Sequence, residues 1–166
     1  MSRGFVKEDD QEEVPFISPR ADLPDGSPNY VTAAGMQELL DERKDLNEER
    51  EGLQIETEKD RRIAQNIIDL KLKQLNERIS SARVVETTEE PLETVRFGCV
   101  VTVKMDLTDK PQKFRIVGVD EADIKKGKIA FTSPLAKQLL HQEKGSTVNL
   151  KLPAGDRSIQ ILSIEP

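Results

Sequence analysis

The sequence predicts an α+β protein, in which an N-terminal antiparallel α-helical coiled-coil hairpin precedes a small antiparallel β-sheet domain with one short helix. Three observations predict this. Apolar residues recur at alternate spacings of three and four from Met36 to Ala82, and at every second position from Arg96 onward. A composition of 36% hydrophobic, 34% charged and 4% aromatic residues favours a small domain with an extended appendage over one large core.

Residues 1–29 are predicted to form a disordered acidic tail. Their acidic side chains outnumber the basic ones, and four prolines interrupt any helix: Pro15, Pro19, Pro24 and Pro28. Two short apolar pieces, 14–17 and Leu23, are candidates for docking on a partner or on the chain itself.

Residues 30–83 are predicted to form the hairpin, with Thr32 capping its first helix. A reversal near Lys59 would pair Leu39 with Ile79 and Leu46 with Leu72. Each arm of about 24 residues would then be about 36 Å long at about 1.5 Å per residue. Because neither Gly nor Pro occurs at the predicted apex, one continuous helix that dimerises in parallel stays open as an alternative.

The predicted apex, 56–60, carries three carboxylates on Glu56, Glu58 and Asp60. Hard cations take carboxylate oxygens as ligands, so these residues are the candidate metal-binding tip. Successive carboxylates in an exposed loop are also typical of plain solvated surface.

After a linker at 84–95, residues 96–166 are predicted to form the sheet domain. Ser133 is expected to cap a short helix, with Pro134 in its first turn, where a missing amide costs nothing. Alternating apolar residues and intervening turn signals predict five strands: 99–105, 113–119, 128–132, 147–152 and 158–164.

Composition excludes several function classes. A net charge of −6 argues against a broad basic surface for nucleic acid. Cys99 and His141 are each the only residue of their kind, which excludes a disulfide framework and paired cysteine or histidine zinc sites. Cys99 is expected in the core and His141 on the surface. No apolar run suits a signal peptide or a membrane span, so a cytoplasmic protein is expected.

Several motifs resemble the bacterial Gre transcription elongation factors. The segments 114–118, 120–123, 133–137 and 153–155 are similar to the C-terminal domain of that family. Tyr30-Val31-Thr32 with Gly35 resembles the start of its N-terminal part, and 81–85 resembles the exit from its coiled coil. The resemblance covers about residues 30–165.

This resemblance implies a monomeric, non-enzymatic factor that binds RNA polymerase. An FKBP-like C-terminal domain would dock on the polymerase, with Asp120, Ser133 and Pro134 matching the docking surface. The coiled coil would enter the secondary channel, and nucleic acid would be met only through the polymerase. In the family, acidic tip residues help to hold a second Mg²⁺ at the polymerase active site, so that no cofactor belongs to the factor itself. Ser133 and Pro134 also suit a helix start, and Asp120 also suits a turn.

The tip departs from the family pattern. The family's Gly-Asp-Leu-x-Glu-Asn run has no counterpart in 50–56 or beyond, and Gln54 falls where the family has Glu. The predicted hairpin, or finger, is also shorter than that of the family by about a dozen residues, or about 9 Å per arm. Three functions therefore stay open: a Gre-like factor that stimulates transcript cleavage, a channel competitor without cleavage, and a dimeric coiled-coil interaction protein. Prolyl isomerisation has little support, because few aromatic residues are present to line a proline pocket.

Overall fold

The computed structural model describes residues 15–166; residues 1–14, which belong to the predicted tail, lie outside it. The α+β class is confirmed, with a pair of long helices followed by a five-stranded sheet. The elements are β1 (Asn29–Val31), α1 (Ala33–Glu51), α2 (Glu58–Ser81), β2 (Ala82–Val84), β3 (Val100–Met105), β4 (Gln112–Val117), β5 (Lys128–Ala130), α3 (Pro134–Leu139), β6 (Thr147–Leu150) and β7 (Arg157–Glu165).

The chain reverses between α1 and α2 at residues 52–57, earlier than the predicted apex at 56–60. Gly52 ends α1 with its amide donating to the Glu48 carbonyl, and Thr57 caps α2. Lys59 therefore lies in the first turn of α2 rather than in a loop. Because the helix is interrupted, one continuous helix is excluded.

The two helices run antiparallel around a narrow apolar seam. At the end of α1, the Arg50 Nε lies 2.6 Å from Asp69 Oδ1 of α2. At the other end, the Asn29 side-chain amide donates to the Arg78 carbonyl at 3.0 Å. Full burial of an apolar side chain of this size stabilises a protein by about 1.5–3 kcal/mol. The side chains buried in this cluster are Val31 of β1 and Leu39, Leu46, Ile68 and Leu75 of the helices.

A parallel pair of three-residue strands closes the base of the helix pair. β1 precedes α1, β2 follows α2, and Tyr30 is in register with Arg83. The Val85 amide extends the pairing by donating to the Val31 carbonyl at 2.9 Å. The chain therefore enters and leaves the helix pair at a hydrogen-bonded base.

The sheet has the strand order β5-β4-β3-β7-β6. Its pairings are antiparallel except for β4 with β5, which is parallel, so the sheet is largely antiparallel, as predicted. The chain crosses between these two strands through 118–127, which include a 3₁₀ turn at Ile124–Lys126. Parallel strands need such a crossover in place of a tight hairpin.

The core of this domain is formed by one sheet face and α3. Val101, Val103, Ile116, Ile159 and Ile161 are fully buried, as is Leu139 of α3. Cys99 is also buried and His141 is exposed, as expected. Among residues 15–166, no helix combines the length and the apolarity needed to cross a membrane.

Two segments predicted to be a tail and a linker make contacts with the folded parts of the protein. Residues 15–28, assigned to a disordered tail, are held by Arg20, whose guanidinium binds Glu42 of α1 and Asp120 of the sheet domain. The end of the predicted linker belongs to the core, because Val95 is fully buried and its amide donates to the Gln142 carbonyl at 2.9 Å. In each case a residue distant in sequence supplies the contact.

Candidate functional site

A buried hydrogen bond joins the start of α1 to the loop that follows β4. The Thr32 hydroxyl donates to Glu121 Oε2 at 2.5 Å and accepts from the Gly35 amide at 2.9 Å. The other carboxylate oxygen, Glu121 Oε1, lies 3.4 Å from Lys128 Nζ on β5. The residue that caps α1 therefore also connects the helix pair to the sheet domain.

Two glycines allow the close approach at this joint. A Cβ on Gly118 would lie 2.5 Å from the Tyr30 carbonyl oxygen, and one on Gly35 would lie 2.5 Å from Glu121 Oε2. Both glycines occur in the segments that resemble the Gre factors. A side chain at position 118 would collide with the backbone of β1, and one at position 35 would displace the Glu121 carboxylate.

An aromatic cluster lies at the same joint. The ring centroids of Tyr30, Phe97 and Phe131 are 5.6–5.9 Å apart, in tilted and edge-on arrangements that favour attraction between rings. Tyr30 comes from β1, whereas Phe97 and Phe131 come from the sheet domain. The joint thus combines apolar packing with a buried polar contact.

Arg20 forms a second bridge beside the joint. Its Nη1 and Nη2 donate to the two oxygens of Glu42 at 2.8 and 3.0 Å, and its Nε donates to Asp120 Oδ1 at 2.8 Å. These contacts raise the pKa of the Arg20 guanidinium, with the Glu42 hydrogen bond as the largest cause, although burial opposes the shift. Arg78 of α2 approaches the same carboxylate, with Nη1 3.6 Å from Asp120 Oδ2.

The three predicted docking residues have different environments. The Asp120 side chain is only 7% exposed, because Arg20 and Arg78 cover it. Ser133 caps α3, accepting the Ala136 amide at 3.3 Å, and the adjacent Pro134 is exposed in the first turn. Their docking role stays a prediction.

The predicted tip residues are all exposed. Glu56 lies in the connection between the helices, and Glu58 and Asp60 lie in the first turn of α2. The Thr57 hydroxyl donates to the Asp60 carboxylate and accepts from the Asp60 amide, so that Asp60 takes part in the helix cap. Arg61 donates to the Ile55 carbonyl at 2.8 and 3.3 Å, which places a cation at the same tip.

These three carboxylates do not form a metal site by themselves. Within residues 15–166, no group of three or more acidic, histidine or cysteine side chains is arranged to hold a metal ion. The run 56–62 also contains three acidic and three basic side chains, so that its formal charge is balanced. Any Mg²⁺ bound here would need ligands from another molecule.

Sequence reasoning missed four residues of the joint. Glu121 is in a charged run that is typical of a surface turn, yet it is buried. Arg20, Glu42 and Arg78 also have no periodic or motif signal, since their partners are distant in sequence. Arg20 and Arg78, from two distant segments, meet at the buried Asp120 carboxylate, and Glu42 binds the other side of Arg20.

Comparison with known proteins identifies relatives of the chain. The family model described as "Transcription elongation factor, GreA/GreB, C-term" matches residues 90–166. GreA of Acidiphilium cryptum is 43% identical over 100 residues, which are 60% of this chain and 64% of that protein, less than two thirds of its length. GreA of Aliarcobacter butzleri is 34% identical over 125 residues, which are 75% of this chain and 76% of that protein.

Two solved structures are similar at low sequence identity. GreA factor homolog 1 of Thermus thermophilus is 22% identical, covering 82% of this chain and 98% of that one, with a TM-score of 0.38. A GreA/GreB factor from Nitrosomonas europaea is 17% identical at the same coverages, with a TM-score of 0.41. The matches in sequence, which span both the helix pair and the sheet domain, show that the chain belongs to the GreA/GreB family of transcription elongation factors.

Proposed function

We propose that this protein binds RNA polymerase through its sheet domain and inserts the α1–α2 pair, tip first, into the secondary channel to modulate elongation. The observation that carries the proposal is the combination of a GreA/GreB C-terminal domain with an antiparallel helix pair closed at its base. At about 1.5 Å per residue, the 19 residues of α1 and 24 of α2 extend about 28 and 36 Å. The helix pair is the inserting coiled coil, and the sheet domain is the FKBP-like docking part.

We further propose that the inserted tip occupies the channel without strongly stimulating transcript cleavage. A second Mg²⁺ requires carboxylate oxygens that converge on one point, and two-metal chemistry depends on its position. Here Asp60 is engaged by Thr57, and Lys59 and Arg61 place positive charge beside the carboxylates. This arrangement favours a competitor for the channel over a cleavage factor.

The test uses a backtracked elongation complex with labelled nascent RNA. The variant Glu56→Gln, Glu58→Gln, Asp60→Asn removes the tip charges while keeping an oxygen that accepts the Thr57 hydroxyl. A matched control, Asp45→Asn, Glu49→Gln, Glu77→Gln, removes three exposed charges from the helix faces. We expect all three proteins to bind core polymerase, to displace another channel-binding factor, and to leave the transcript largely intact.

Two outcomes would contradict this expectation in different ways. Cleavage by the unaltered protein that the tip variant abolishes, and the control retains, would assign a metal role to Glu56, Glu58 and Asp60. If the unaltered protein does not associate with core polymerase, the whole proposal fails.

A further inference from the structure

The carboxylate of Asp120 is already occupied by a cation from the N-terminal segment. Arg20 Nε donates to Asp120 Oδ1 at 2.8 Å, and the two residues are 100 positions apart. The Asp120 side chain is 7% exposed and that of Arg20 is 19% exposed. A residue of the sheet domain that matches a docking surface is thus covered by another part of the same chain.

Arg20 is held on its other side by α1. The two terminal nitrogens bind both oxygens of Glu42, the fork geometry in which a guanidinium binds a carboxylate most strongly. One residue further, the Ala21 carbonyl accepts a hydrogen bond from Arg78 of α2. Residues 18–21 therefore lie across the cleft between the helix pair and Asp120.

The pairing around Asp120 is incomplete. Asp120 Oδ2 and Arg78 Nη1 are buried and separated by 3.6 Å, and neither makes a hydrogen bond. Removing a cation from a buried carboxylate is strongly unfavourable unless another cation replaces it. The site is therefore suited to exchange: a second basic group can replace Arg20 and also donate a hydrogen bond to Oδ2, which now has only the ion pair with Arg78.

We propose that residues 15–28 form an N-terminal strap in which Arg20 occupies the position on Asp120 that an arginine or lysine of a protein partner takes. The strap and the partner compete for the Asp120 carboxylate. The strap therefore lowers the affinity of the protein for the partner until Arg20 leaves Asp120. The identification of the partner as RNA polymerase rests on the proposed function. If the strap is open in about a tenth of the molecules, the apparent affinity is lower by about tenfold.

The strap itself is tested on the full-length protein without any partner. A nitroxide label on Ser18→Cys reports the mobility of the strap, and it attaches selectively because Cys99 is 1% exposed and burial raises the pKa of its thiol. We expect an immobilised spectrum in the Ser18→Cys protein and a mobile one after Arg20→Ala or Glu42→Gln. Lys113→Ala, which breaks an exposed pair with Glu165 3.5 Å away, is the matched control and leaves the label immobile. If the label stays immobile after Arg20→Ala, the proposal that Arg20 holds the strap in place is overturned.

The competition is tested by affinity for purified core RNA polymerase. Arg20→Ala is expected to bind up to about tenfold more tightly than the unaltered protein, if the strap is open in about a tenth of molecules. In an Asp120→Asn background the same change is expected to have little effect, since the two residues act through one contact. Equal or weaker binding of Arg20→Ala overturns the competition. If no variant binds, the proposed function fails, whereas the strap is decided by the label alone.

Discussion

At Gly118 the backbone of the sheet domain lies close to the backbone of β1. In Gly118→Ala, the new methyl group would lie 2.5 Å from the Tyr30 carbonyl oxygen, which is part of the backbone and cannot rotate away. We expect a loss of about 1–3 kcal/mol in the free energy of unfolding, as overpacking generally costs. Urea denaturation measures the loss, and the fluorescence of Tyr30, the only tyrosine in a chain without tryptophan, reports the joint directly.

Gly52→Ala is the control for that experiment. Its Cβ would lie 3.2 Å from the Glu48 carbonyl oxygen, a milder approach at the opposite end of the helix pair. We expect a smaller loss and unchanged Tyr30 emission. If Gly118→Ala has the stability of the unaltered protein, the joint is looser than the distances indicate.

At the level of single residues, the sequence predicts local contacts and misses distant ones. Thr32 and Ser133 were predictable as helix caps because the amide that each accepts is three residues away. The bonds of Thr32 to Glu121 and of Arg20 to Asp120 span 89 and 100 residues, and one charged side chain among many gives no sign of its partner. Only the fold brings these groups together.

At the scale of elements, the stability of the helix pair depends on its apolar seam. Leu75 is fully buried between α1 and α2, whereas Ile63, on the same predicted stripe, is 37% exposed. We expect Leu75→Ala to lower the free energy of unfolding by about 2–5 kcal/mol, because it leaves a cavity. We expect Ile63→Ala to lower the free energy of unfolding clearly less than Leu75→Ala, because the Ile63 side chain is already partly exposed. Urea denaturation followed by far-UV circular dichroism measures both, and equal losses would mean that the seam does not lie where the structure has it.

The element boundaries show which signals a sequence carries. Periodicity predicts both helices but does not locate the reversal, because the capping bonds of Gly52 and Thr57 determine where α1 ends and where α2 begins. The three residues of β1 and of β2 are too few for an alternating pattern to be recognised. The parallel pairing of β4 with β5 was also missed, since alternation predicts a strand but not the direction of its neighbour.

At the scale of the whole molecule, we expect a monomer. The apolar seam that a parallel dimer would need is already buried within one chain, between α1 and α2. Light scattering should therefore give a mass near 18.7 kDa at both low and high salt. A stable dimer would instead support the alternative of a coiled-coil interaction protein, and it would contradict the insertion of a single helix pair.

The strands β1 and β2 join the two ends of the helix pair, so that the length of the helices does not affect how the pair is attached to the rest of the protein. Because Asn29 to Val31 pair directly with Ala82 to Val84, the geometry at the base does not depend on how many turns lie beyond it. Equal insertions or deletions of seven residues in the two arms keep the seam in phase. We therefore expect such changes to alter the reach of the helix pair while the pairing of β1 with β2 stays the same.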